Sequence, residues 1–309
     1  MLDGSVHVAK NDHTMSIRQA GDRLVRDVVR TPVHLVGADV WLKREDLQRG
    51  SSFKMRGAAN VVRTARIGPQ SPGVVCASSG NTGLALAMLT RELAVPAYVF
   101  VPARATGGKV EALRRLGARV VHVPGDFSGV ARAARTFASR HDLLYCSSAT
   151  TWDFIYGNAT VGVELLEQCA SLDEVFVPIG GGGLAAGVGL ALSVLPWCSR
   201  PRLVGVELET SCPVREFLRS SPAVWSPCVS VADCLDGDLE SGAIVLQLAE
   251  DVLDDIVLVS DADLLRAQWE LARSGILVEP GPAAAFAGYR AVAGRRPAGR
   301  TAVLVTGSR

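Results

Sequence analysis

Apolar residues recur at helical spacing over residues 16–30, where Ile17, Ala20, Leu24, Val25 and Val28 share one face. Thr31-Pro32 ends that helix, because a residue before proline avoids the α region. Two short apolar runs, 33–36 and 40–42, read as strands, and the charged run Lys43-Arg44-Glu45-Asp46 leads out of the second into a loop. A helix is expected over 55–66. From residue 73 the pattern becomes regular. Strands over 74–77, 97–101, 119–123 and 143–145 alternate with helices over 82–93, 109–116 and 128–139. After residue 150 come helices over 157–169, 184–195, 241–249, 261–274 and 283–292, with strands over 174–178, 203–207, 256–259 and 301–305. Short strands separated by helical stretches predict βαβ units and parallel sheets. Residues 201–227, rich in proline and serine, form the most irregular stretch.

Composition narrows the class. The chain has 309 residues, 48% hydrophobic and 20% charged, with 32 basic side chains against 31 acidic ones. That is enough for two domains with a real core. A net charge of +1 leaves no electrostatic footprint for nucleic acid or an anionic membrane, so neither partner is expected. No segment reaches about 18 uninterrupted apolar residues, and the N-terminal stretch lacks the apolar core of a leader. Seven scattered cysteines, never spaced CxxC, point to reduced thiols and a cytoplasmic location. The five histidines are mutually distant, so no metal site is expected. The last strand ends near residue 309, so no C-terminal regulatory domain is expected either.

Three stretches carry candidate chemistry. Gly180, Gly181, Gly182 and Gly183 lie between a strand and a helix start. Converging backbone N–H groups and a helix N-terminus make an anion cradle suited to a phosphate; a plain tight turn is the alternative. In Ser51-Ser52-Phe53-Lys54-Met55-Arg56-Gly57-Ala58 a lysine stands at a loop-to-helix junction, where the helix dipole opposes a cation. An amine that forms an imine with a carbonyl cofactor would explain that placement; a solvated surface lysine is the alternative. In Ser78-Ser79-Gly80-Asn81-Thr82-Gly83, hydroxyls, an amide and helix N–H groups could hold a carboxylate, or simply cap the helix.

Together these motifs resemble a known family. Residues 43–58 (KREDLQRGSSFKMRGA), 77–83 (ASSGNTG), 177–187 (VPIGGGGLAAG) and 278–280 (VEP) are similar, in that order, to the pyridoxal-phosphate (PLP) enzymes of the tryptophan-synthase-β fold group, fold type II. Within it they most resemble the threonine/serine dehydratase and serine racemase family, over residues 17–306. The resemblance implies an α/β protein with two open, mainly parallel-sheet domains: a large one from residues 1–72 and 151–309 and a small one from 73–150, with PLP in the cleft between them. It implies that Lys54 carries the cofactor as an imine and takes the α-proton, with Phe53 beside the pyridine ring. Residues 180–183 would bind the phosphate, Asn81 the cofactor's ring oxygen, and Thr306 the pyridine nitrogen, with Glu279 also beside the cofactor. Ser78, Ser79, Gly80, Asn81 and Thr82 would hold the substrate carboxylate, and Ser79 could reprotonate the face opposite Lys54. A neutral hydroxyl on the pyridine nitrogen favours β-elimination over transamination.

The expected activity is deamination of L-threonine, L-serine or a related β-hydroxy amino acid to a 2-oxo acid and ammonia, by a homodimer acting on a small-molecule substrate. Three positions depart from the family pattern. Thr82 stands where dehydratases usually carry His, a variation shared with cysteine synthases; Pro213 replaces an aspartate that would join Glu207 around a cation; and Cys234 replaces a glycine beside the substrate. A β-replacement enzyme or a racemase is the runner-up. A PLP-binding partner or sensor without catalysis would be a different class, and the intact Lys54, Asn81 and glycines speak against it.

Overall fold

A computed structural model describes residues 10–78, 80–105, 107–220, 230–236, 239–295 and 299–308. Ser79, one of the candidate site residues, lies outside them.

The apolar strands assemble into two sheets. One has six strands in the order β1 (Val33–Leu35), β2 (Val40–Arg44), β10 (Thr301–Val305), β7 (Glu174–Pro178), β8 (Arg202–Leu208) and β9 (Asp255–Val259). The other has four, in the order β5 (Arg119–Val123), β4 (Ala97–Pro102), β3 (Val74–Ala77) and β6 (Leu144–Tyr145). Every pairing is parallel except β1 with β2. Central parallel strands are covered on both faces and so need apolar residues throughout. Val74, Val75 and Cys76 of β3 and all of β10 are buried accordingly.

Helices fill the connections: α1 (Lys10–Leu24), α2 (Lys54–Thr64), α3 (Asn81–Glu92), α4 (Gly108–Arg115), α5 (Phe127–Arg140), α6 (Trp152–Gln168), α7 (Gly183–Leu192), α8 (Pro213–Leu218), α9 (Ile244–Val252), α10 (Asp261–Arg273) and α11 (Ala284–Val292). Helix α7 is buried at every position, enclosed by neighbours that include α6 and α9. Helix α2 bridges the two sheets: Met55, Ala58, Val61 and Val62 share an apolar cluster with Val74, Cys76 and Leu86 of the four-stranded half. The sheets divide near residue 72, whereas the packing crosses that point. Among the described residues no helix is long and apolar enough to cross a membrane.

Several features differ from the sequence pattern, and the first helix differs most in its limits: α1 ends at Leu24, seven residues before Thr31, so Thr31-Pro32 is not what closes it. Helix α6 begins at Trp152, five residues earlier than expected, because Phe154 and Ile155 are buried. Helix α8 lies in the irregular stretch, and its first amides are capped from elsewhere: Val214 and Arg215 N–H donate to the Glu207 carboxylate on β8, at 3.0 and 2.9 Å. The charged run Lys43, Arg44, Glu45 and Asp46 is buried, and its first two residues extend β2 past the expected strand end at 42.

Candidate active site

In parallel sheets the loops at the carboxyl ends of the strands gather at one edge, where ligands bind. Here the chain leaving β2 passes through two short 3-10 turns, Glu45–Leu47 and Arg49–Ser51, and reaches Lys54 as the first residue of α2. The segment after β10 fixes that approach. Phe53 N–H donates to the Thr306 carbonyl at 3.2 Å, Ser308 N–H donates to the Ser51 carbonyl at 2.9 Å, and Ser52 bridges Gly307.

Beneath the approach lies a buried ion network. The Arg56 guanidinium donates to both Glu45 oxygens at 2.8 Å and to both Glu164 oxygens at 2.7 and 2.9 Å. Lys43 donates to Glu164 at 2.5 Å and to the Thr31 carbonyl at 2.9 Å. Two cations face two anions, so the set is neutral. Deleting one member would strand a buried charge, at a cost of about 3–5 kcal/mol.

Lys54 itself is half-buried, with its amine 4.5 Å from the centroid of the buried Phe53 ring. Desolvation pushes its pKa down to about 8, against a smaller opposing influence from Cys234. The α2 N-terminus acts in the same direction as burial. A neutral amine is therefore accessible near physiological pH, which is what attack on a carbonyl requires.

The loop after β7 opens helix α7. A Cβ on Gly183 would collide with the Ser148 carbonyl oxygen, and Gly182, at φ +77°, has the Val245 side chain in the place a Cβ would take. A Cβ on Gly180 would lie 2.5 Å from the Cys234 carbonyl oxygen, whereas one on Gly181 would meet nothing nearer than Ala149 at 3.6 Å. Three of the four glycines are thus required by close approach, and the exposed Gly181 marks the open mouth of the cup. Asn158 of α6 donates to the Gly183 carbonyl at 3.1 Å, which holds the first turn of α7.

The loop after β3 is built differently. The Ser78 hydroxyl accepts N–H bonds from Gly80 and Gly83, both at 3.2 Å, and so serves the start of α3 as a cap. Asn81 is half-buried and Thr82 buried. A methyl group on Gly307 would lie 3.5 Å from Asn81 Nδ2, so the asparagine stands beside the end of β10. Lys54, Phe53, Thr306 and Asn81 are brought together this way, while the 180–183 loop ends β7, the neighbour of β10.

Glu279 pairs at 3.2 Å with Lys109 of α4, which also approaches Asp233 at 4.0 Å. Sequence reading did not single out Lys109; its only signal was a cation in the first turn of a helix. Cys234, the unusual wall residue, has Sγ where a Cβ on Gly281 would fall, and burial pushes its thiol up to about 11. Glu207 is buried and raised to about 7, first by desolvation, with both oxygens receiving α8 amides. Among the described residues no group of three or more His, Cys, Asp or Glu is placed to hold a metal ion.

Residues 26–307 match the family model described as pyridoxal-phosphate dependent enzyme. The chain belongs to that family. Compared with an L-threo-3-hydroxyaspartate ammonia-lyase of Saccharomyces cerevisiae, the enzyme is 33% identical over 88% of its own length and 85% of the relative's. It is 28% identical to a biosynthetic L-threonine dehydratase of Haemophilus influenzae, over 91% of this chain and 56% of that one. The structure of maize serine racemase superposes with a TM-score of 0.85 at 26% identity, covering 95% and 92% of the two chains. The enzyme thus shares the tryptophan-synthase-β-like fold and stands among PLP-dependent β-elimination enzymes and racemases. Its own residues fit the cofactor: Lys54 offers an amine whose pKa burial lowers to about 8, and the 180–183 loop offers backbone free of side chains, with Gly181 exposed.

Proposed function

We propose that the enzyme deaminates a β-hydroxy amino acid, L-serine or L-threonine, to a 2-oxo acid and ammonia. The observation that carries this reading is Lys54, whose amine is brought to about 8 by burial at the head of α2. In this proposal residues 180–183 bind the cofactor phosphate, Asn81 its ring oxygen, Thr306 its ring nitrogen, and Phe53 and Glu279 flank it. When bound, PLP supplies the electron sink that makes an amino-acid α-proton removable. Lys54 takes that proton from Cα and, being near neutral at working pH, can also return one. Amides and hydroxyls of Ser78, Ser79, Gly80, Asn81 and Thr82 hold the substrate carboxylate. Loss of the β-hydroxyl as water, followed by hydrolysis, gives the oxo acid and ammonia. The larger unit of residues 1–72 and 151–309, the smaller unit of 73–150, a cytoplasmic location and a homodimer belong to the same proposal; light scattering of the purified protein checks the dimer.

A second reading turns on Lys109, which would have to release Glu279 and Asp233, the two carboxylates now beside it, to meet a substrate anion. It would suit a substrate with a second carboxylate, such as the 3-hydroxyaspartate named for the yeast relative. Ammonia and oxo-acid release from L-serine, L-threonine and L-threo-3-hydroxyaspartate decides between the two. Turnover of only the dicarboxylate selects the second reading. Sulfide-dependent cysteine formation from O-acetyl-L-serine, without deamination of any of the three, sinks both.

A further inference from the structure

Glu240 is 7% exposed at its side chain and collects three donors from three different places. Its Oε1 accepts from the Arg135 guanidinium at 2.5 Å and from the Tyr145 hydroxyl at 2.9 Å. Its Oε2 accepts from the Ser147 hydroxyl at 2.5 Å. Arg135 lies on α5 and Tyr145 on β6, so one oxygen is held by the four-stranded half. The other oxygen acts on the turn that follows β6. There the Ser147 hydroxyl accepts N–H bonds from Ala149 and Thr150, both at 3.1 Å. That turn forms one wall of the glycine cup: the Ser148 carbonyl blocks any Cβ on Gly183, and Ala149 lies next to the open position at Gly181. Past Glu240 the chain closes the other wall. Ile244 N–H donates to the Ala149 carbonyl at 2.9 Å, and Val245 fills the space beside Gly182.

We propose that Glu240 is a positioning residue for cofactor binding, a carboxylate through which the four-stranded half sets the shape of the glycine cup. The proposal rests on the reading of residues 180–183 as the phosphate site. A cup made of backbone amides has no side chains to adjust, so its geometry is decided by what presses on it from outside. Two of those pressing groups, the Ser147–Thr150 turn and the Ile244–Val245 segment, are tied to Glu240 through Ser147 and through the chain itself. A charge-assisted bond to a buried carboxylate is strong enough to matter on the scale of a cofactor affinity.

The test uses the full chain stripped of cofactor and titrated with PLP and, separately, with pyridoxal, the same aldehyde without its phosphate. Glu240→Gln keeps the volume and loses the charge; Ser147→Ala keeps the charge and loses the link to the turn. Both are expected to raise the Kd for PLP about tenfold while moving the Kd for pyridoxal less than twofold. Arg135→Met, at a half-exposed side chain, should weaken PLP binding severalfold in the same selective way, and it carries the test if a buried variant does not fold. PLP affinity within twofold of the parent in all folded variants, or equal losses for PLP and pyridoxal, overturns the proposal. Failure of the phosphate assignment looks different: the parent chain would itself bind the two ligands alike, and the proposal falls with it.

Discussion

Two loops with the same job description, each joining a parallel strand to a helix, are built on opposite plans. After β7 the chain uses glycines whose missing side chains are occupied by neighbours: the Ser148 carbonyl at Gly183, Val245 at Gly182 and the Cys234 carbonyl at Gly180. After β3 it uses the side chains themselves, with the Ser78 hydroxyl taking the N–H groups of Gly80 and Gly83. The first shape is imposed from outside and cannot yield. The second is held from within by bonds worth about 1 kcal/mol each, so it can lose one and relax. In the proposed function the first plan suits a phosphate that stays bound through many turnovers, and the second a carboxylate that must come and go.

The hardest test of this contrast removes the lysine that both loops serve in the proposed function. Lys54→Ala should lower turnover by about three orders of magnitude, the scale of a lost acid–base group. It should still retain PLP by the cup alone, and borohydride should then fix no cofactor to the chain; peptide mapping of the reduced parent should find it on Lys54. Gly183→Ala should weaken PLP binding about a hundredfold, because the new methyl meets a backbone carbonyl that has no room to move. Cofactor absorbance remaining after gel filtration reads this directly.

Acidity comes next in size. With the Lys54 amine at about 8, PLP incorporation into the stripped chain should speed up about fiftyfold between pH 6 and pH 8 and level off above, instead of climbing to the ordinary lysine value. The sign for stability follows: the unfolded chain holds that proton up to 10.5, so the Lys54 contribution to stability grows as pH rises from about 8 toward 10.5. Stopped-flow absorbance checks the rate and denaturant titration the stability. Ser78→Ala should cost about 1 kcal/mol of stability and raise the KM of the amino acid severalfold, leaving PLP affinity alone. The smallest effect belongs to Gly181→Ala, whose methyl meets only Ala149 at 3.6 Å; PLP affinity should change less than threefold. If Gly181→Ala proved as damaging as Gly183→Ala, the cup would not be shaped by its neighbours.

Much of this was readable in advance because it is local. The strands 74–77, 119–123, 174–178 and 301–305 have the same limits in the pattern and in the structure, since a buried parallel strand is a bare apolar run between breakers. The glycine loop and Lys54 announced themselves by residue types that are out of place unless they have work to do. What stayed hidden is relational. Helix α8 has no signal of its own because its cap, Glu207, sits on another element. Glu240 meets Ser147 and Arg135 from 93 and 105 residues away, and Glu279 meets Lys109 across 170. The burial of the run Lys43–Asp46 could not be read locally, because one group that neutralises its interior members, Glu164, lies more than a hundred residues away. Ser79 lies outside the described residues, so its place opposite Lys54 is still an expectation from the family.

The pairing of β2 with β10 has a consequence for how the protein comes into being. Residues 40–44 lie beside residues 301–305 in the sheet, and the approach to Lys54 is fastened by Thr306, Gly307 and Ser308. A ribosome making this chain from the N-terminus delivers the reactive lysine early and its fastenings last. Throughout most of synthesis the residues that fasten the approach to Lys54 from the β10 side have yet to be added. Until β10 pairs between β2 and β7, the Thr306 and Ser308 bonds that hold the approach to Lys54 have no partners, so a site begun near the start of the chain is completed from its other end.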